Sequence, residues 1–169
     1  TCPNFDAAAW WQDYLGGGSG DVMQVTAPAL PVTAEPGASL PLETEALFGE
    51  ELAVLERKAG FARVRLATDG YVGWVPIGEA PSPTTPATHR IITPSAFALA
   101  APKVTSPMMM RLGMGALVTV GETVGEWHAI DLPDGGTGWI ASHAVAPHDQ
   151  FADDFVAVAE QFLGAPYLW

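Results

Sequence analysis

One pattern of residues occurs twice in this chain, about 65 positions apart, and a fold must accommodate both copies. Gly49-Glu-Glu-Leu-Ala-Val-Leu55 corresponds to Gly115-Ala-Leu-Val-Thr-Val-Gly121, and Phe61-Ala-Arg-Val-Arg-Leu66 to Trp127-His-Ala-Ile-Asp-Leu132. Asp69-Gly-Tyr-Val-Gly-Trp-Val75 then corresponds to Asp134-Gly-Gly-Thr-Gly-Trp-Ile140. In each copy apolar residues alternate with polar ones, and turns rich in Gly and Asp separate the runs. A period of two between such turns predicts half-buried antiparallel strands. The repeat is too long for a solenoid unit and has the size of a small β-domain.

Composition agrees with a turn-rich β chain. Of 169 residues, 18 are Gly and 15 Pro, and with 49% apolar residues a packed core is within reach. The net charge of −12 argues against nucleic acid and anionic membranes as partners, since both require clustered Lys and Arg. No apolar run is long enough to span a bilayer. Cys2, the only cysteine, has no partner for a disulfide and no neighbouring His to make it a nucleophile. His89, His128, His143 and His148 do not follow a metal-ligand spacing, and no cofactor is expected.

The flanks differ from the repeats. Asn4 to Leu15 predicts a short helix with Asn4 as its cap, stopped by Gly16 to Gly18 and followed by a flexible linker. Ala80-Pro-Ser-Pro-Thr-Thr-Pro-Ala-Thr88 predicts a semi-extended joint between the copies. Asp154 to Leu163 predicts a C-terminal helix whose apolar face is Phe155, Ala159, Phe162 and Leu163.

The repeated strand–turn order resembles the bacterial SH3 domain over roughly residues 25–147. The helix and the ending Gly164-Ala-Pro-Tyr-Leu-Trp169 resemble the opening of the NlpC-type cysteine peptidases, in which the nucleophile follows such a segment. Together they predict a mainly β fold: two tandem SH3-like small β-barrels with a short N-terminal helix and a C-terminal helix. The expected divisions are 1–24 (helix and linker), 25–80 and 89–147 (the SH3-like domains), 81–88 (Pro-rich linker) and 148–169 (the first helix of a truncated papain-like domain).

The resemblance implies a parent enzyme that hydrolyses the γ-D-glutamyl–diamino-acid bond of wall peptides bearing a free N-terminal L-Ala. This stretch would be its non-catalytic targeting and substrate-positioning part, without the catalytic Cys and His. In one branch of that family a Glu and a Tyr of the first SH3-like domain meet the substrate's amino end, and the matching residues here are Glu50 and Tyr71. The second copy has Ala116 and Gly136 in their places. Another reading leaves Glu50 on a solvated strand and Tyr71 packed over a turn.

Expected partners are peptidoglycan-derived peptides and a missing or separate papain-like domain, with self-association through the C-terminal tail. A cytoplasmic location is favoured over export. Two alternatives stay open: a peptidoglycan-binding module with no catalytic partner, and one half of a split peptidase.

Overall fold

A computed structural model describes residues 21–37, 41–79 and 86–166. The chain is mainly β, with two sheet-built domains and one C-terminal helix. Its first half contains β1 (Val22–Gln24), β2 (Ala29–Thr33), β3 (Leu42–Leu47), β4 (Glu51–Lys58), β5 (Phe61–Leu66) and β6 (Val72–Pro76). These form one antiparallel ladder in the order β1-β4-β5-β6-β2-β3. The β4–β5 hairpin turns on Ala59 and Gly60, both at positive φ, as a tight two-residue hairpin turn requires.

The second half follows with β7 (His89–Ile91), β8 (Ser95–Leu99), β9 (Met108–Gly113), β10 (Leu117–Val118), β11 (Val120–Val124), β12 (Trp127–Asp131), β13 (Thr137–Ala141) and β14 (Val145–Pro147). Its main sheet has the order β11-β12-β13-β8-β9, and a smaller one the order β10-β7-β14. The strand corresponding to β4 is broken into β10 and β11 at Thr119. Strand β7 pairs with β10 as β1 pairs with β4. The duplication therefore includes every strand of the first copy, and β14 is an addition. Trp74 lies between Arg63 and Thr33 in its ladder, and Trp139 between Ala129 and Leu99, which are corresponding places.

Alternation decides what each strand buries. Leu30 and Val32 face the first core with Leu52, Val54, Ala62, Val64 and Leu66. Ala96, Ala98, Leu112, Ile130 and Ile140 face the second. Phe48 crosses between domains: it sits in the turn between β3 and β4 yet packs in the second core, with Leu47 beside it. The Leu117 N–H donates to the Phe48 carbonyl at 2.8 Å.

Several expectations need correction or fall elsewhere. The first domain begins with β1 at Val22, inside the segment expected as linker, because Val22 to Gln24 pair with Glu51 to Ala53. The expected N-terminal helix, Cys2, most of the Pro-rich linker and Tyr167 to Trp169 lie outside the described residues. The C-terminal helix α1 covers only Phe155–Glu160. Asp154 caps it by accepting from the N–H groups of Val156 and Ala157, and no residue of the helix is buried. Its expected apolar face is exposed, Phe155 at 82% and Leu163 at 83%.

Candidate functional site

Glu50 and Tyr71 both attach to the loop joining β5 to β6, Glu50 through the Thr68 N–H and Tyr71 as the last residue of that loop. The loop closes on itself: the Leu66 N–H donates to the Tyr71 carbonyl at 2.9 Å and the Gly70 N–H to the Leu66 carbonyl at 3.0 Å. Asp69 accepts from the Tyr71 N–H at 2.8 Å. Glu50, at the entry to β4, reaches this loop from below. One carboxylate oxygen accepts the Thr68 N–H and the other the Leu47 N–H, both at 3.2 Å. Glu50 is 5% exposed. Burial raises its pKa above the ordinary carboxylate value, and nearby Asp69 adds to this. Hydrogen bonds from Thr68 and Leu47 act in the opposite direction.

Tyr71 is the exposed member of the pair, at 37%. Its hydroxyl donates to the Glu43 carboxylate at 2.9 Å. That bond, with lesser help from desolvation and the charges of Glu43 and Asp69, raises the phenol pKa. Glu51 opens β4 opposite Gln24, and it meets this loop through its backbone, the carbonyl accepting the Ala67 N–H at 3.0 Å.

The second domain shows why Glu50 has no counterpart there. The equivalent loop closes in the same way, Leu132 N–H to Gly136 carbonyl and Gly135 N–H to Leu132 carbonyl, both at 3.0 Å. It is one residue shorter, and Pro133 alone stands where Ala67 and Thr68 stand in the first copy. Proline has no N–H, so the donor that Glu50 receives is missing and a buried Ala116 suffices. The difference between the copies thus follows in part from the need to satisfy a buried donor.

Two hollows lie beside these elements. Trp74, Phe61, Pro31, Pro76, Leu42 and Thr33 surround a groove of about 150 Å³ on the outer face of the first sheet. Trp74 belongs to that face and is absent from the inner core. A larger cleft, about 470 Å³, opens between the domains. Gln24, Phe48 and Gly49 line one side and Leu117, Thr119 and Asp131 the other. Sequence reasoning missed it, because its walls come from five separate stretches with no common motif.

His89, His128 and His148 gather at one edge of the second domain, with the His89 and His128 rings 6.2 Å apart. Desolvation, then the charges of His128 and His148, lower the His89 pKa. Among the described residues no three His, Cys, Asp or Glu are placed to hold a metal ion. The described residues contain no Cys and hence no Cys–His pair. Among them no helix is long and apolar enough to cross a membrane.

Residues 32–78 match the family described as the bacterial dipeptidyl-peptidase Sh3 domain, and residues 93–147 the bacterial SH3 domain. No curated protein matches the sequence. Among solved structures, an NlpC/P60 family protein from Bacillus cereus ATCC 10987 superposes with a TM-score of 0.72 at 17% identity. That match covers 88% of this chain and 66% of the other, so the chain spans just under two thirds of that relative. NlpC1 and NlpC2 from Trichomonas vaginalis match with TM-scores of 0.35 and 0.32 at 14% identity. They cover 82% and 84% of this chain and 50% and 54% of their own. The chain carries two bacterial SH3 domains in tandem, on a fold shared with an NlpC/P60 family protein.

Proposed function

We propose that this chain is the substrate-positioning SH3 portion of a wall-peptide cysteine endopeptidase, which hydrolyses the γ-D-glutamyl–diamino-acid bond of peptides with a free N-terminal L-Ala. The observation that carries this reading is the loop 66–71, where a buried carboxylate and an exposed phenol share one end of the first domain. The match of that domain to a dipeptidyl-peptidase Sh3 family supports it. A carboxylate has about four lone-pair sites. Two of those on Glu50 are filled by backbone N–H groups and a third by the Thr68 hydroxyl, which hold the side chain in one orientation and leave one acceptor site for an ammonium. In this reading Tyr71, exposed on the same loop with its hydroxyl on Glu43, supplies the accessible hydroxyl. A papain-like domain supplies the Cys thiolate and His base, with α1 as the element it packs on, and cytoplasmic peptide recycling is the setting we favour.

A second reading has one observation in its favour. The Trp74–Phe61 groove offers a stacking surface, which suits a peptidoglycan-binding module acting without a catalytic partner.

Titrating the chain with L-Ala-γ-D-Glu-diaminopimelate and its N-acetylated form, followed by amide NMR shifts, separates the two. Shifts at Thr68 to Tyr71 that require the free amino end, and that weaken in Tyr71→Phe, are expected. Shifts confined to the Trp74 groove and indifferent to acetylation would leave the binding module.

A further inference from the structure

The cleft between the domains has a fixed floor. Phe48 is buried in the second core, and the Leu117 N–H donates to its carbonyl. Gly49 lies so close that a Cβ there would stand 2.1 Å from the Leu117 carbonyl oxygen. The walls cannot separate without drawing Phe48 out of the second domain, so the cavity exists before any ligand arrives. Its volume of about 470 Å³ is typical of small-ligand sites, which favour domain interfaces.

The polar lining is unbalanced. Gln24 commits its amide N–H to the Gly49 carbonyl at 3.0 Å, and Thr119 its hydroxyl proton to the Pro86 carbonyl at 2.9 Å. The Gly136 N–H goes to Asp134 at 2.9 Å. Asp131 is the one charged side chain on the lining. All seven Lys and Arg of the chain fall among the described residues, and none pairs with Asp131. These three lining donors are engaged while the Asp131 carboxylate remains exposed, beside the apolar walls of Val25, Phe48, Leu117 and Leu132. Such a surface favours a donor-rich cation with a short aliphatic body.

We propose that the interdomain cleft binds a primary ammonium on a short aliphatic amide, held by Asp131 and seated on Phe48 and Leu117. The ammonium is either the amino end of a peptide or an aminoalkyl side chain. This site is separate from the loop 66–71 and does not depend on the role given to that loop.

The test is an amide-shift titration of the full chain with three probes: Ala-Ala-Ala-NH2, Ac-Ala-Ala-Lys-NH2 and Ac-Ala-Ala-Ala-NH2. At least one of the first two should saturably shift Leu117, Thr119, Asp131 and Gly136, the third should not, and the amine that saturates identifies the source. Asp131→Asn should weaken that binding about tenfold or more. Raising salt from about 0.05 to 0.5 M should weaken it too. Ala87→Phe, which fills the cleft from the linker side, should abolish it. Equal shifts with the blocked peptide, no shift with either amine, or full affinity in both variants would overturn the proposal. Shifts confined to residues 68–71 would also overturn it, while leaving the function proposed for that loop intact.

Discussion

At the scale of single residues, Glu50 carries two duties. A carboxylate that is 5% exposed and accepts two backbone N–H groups holds together the turn before β4 and the loop after β5. Glu50→Gln leaves one oxygen for two donors and aims an NH2 at the other. The expected cost is about 1–3 kcal/mol of stability, the penalty of a buried group left unsatisfied. Glu51→Gln, half-buried on the strand beside it, should change stability by less than about 0.5 kcal/mol in the same urea titration. The pH dependence has a definite sign. Burial raises the folded pKa of Glu50 above its reference value of 4.5, so the folded state holds the proton more tightly than the unfolded chain. The stability from this group is fully present below about pH 4.5 and is lost as pH rises through the folded value. The wild-type chain should therefore gain on Glu50→Gln as pH falls through that window, and a difference that widens on raising pH would contradict the burial argument. Tyr71→Phe removes only an exposed hydroxyl bond to Glu43, so it separates ligand effects from folding effects where Glu50 cannot.

Among the elements, the turn Leu47 to Glu50 does most to make two domains behave as one. Phe48→Ala should cost about 3–5 kcal/mol, the usual range for a buried Phe, and the loss should appear in the second domain although the mutation is in the first. Gly49→Ala combines a φ of +78° with a Cβ 2.1 Å from the Leu117 carbonyl oxygen, so the joint must open. A single unfolding transition in the wild type should split into two, read by calorimetry. Gly60→Ala is the control. Its φ is +84° with nothing within 4 Å, so it should cost roughly 1–2 kcal/mol of backbone strain and leave one transition. The strands β4 to β6 and β11 to β13 were legible in sequence because alternation and Gly-containing turns are local signals. Strands β2 and β8 were not, since Leu30 and Val32 correspond to Ala96 and Ala98: the core-facing positions agree while the residues do not. Strand β1 is three residues long and follows directly on a glycine-rich stretch, which masked it. The sequence motifs held Glu50 and Tyr71, the first at the entry to β4 and the second in the turn between β5 and β6. The burial of Glu50 did not, because its donor at Thr68 is 18 positions away. Nor did the cleft, whose floor joins Phe48 to Leu117 across β4 to β6, the linker and β7 to β9.

At the scale of the whole molecule, one element among the described residues has no home. Phe151 lies against Arg90, 4.2 Å from guanidinium carbon to ring centre, and ties the chain just after β14 to the second domain. Beyond it, α1 and the turn that follows present Phe155, Val156, Phe162 and Leu163 to solvent, and no residue of the helix is buried. Exposed apolar groups clustered on a segment that serves no core are the mark of an association surface. In the proposed enzyme a papain-like domain covers them, and the described residues contain no nucleophile–base pair of their own. Purified chain should therefore release no product from L-Ala-γ-D-Glu-diaminopimelate, and turnover surviving Cys2→Ala would reveal an active site elsewhere. Truncation after Asp153 tests the helix directly. It keeps the Phe151–Arg90 contact and, among the described residues, removes only ones that no core uses, so unfolding free energy should move by less than about 0.5 kcal/mol. Sedimentation should meanwhile show weaker self-association than the full chain, because the apolar surface is gone. Unfolding of the sheets on truncation would instead make α1 part of the fold. Unchanged self-association would place the sticky surface on the exposed Met108, Met109 and Phe97 of the second sheet.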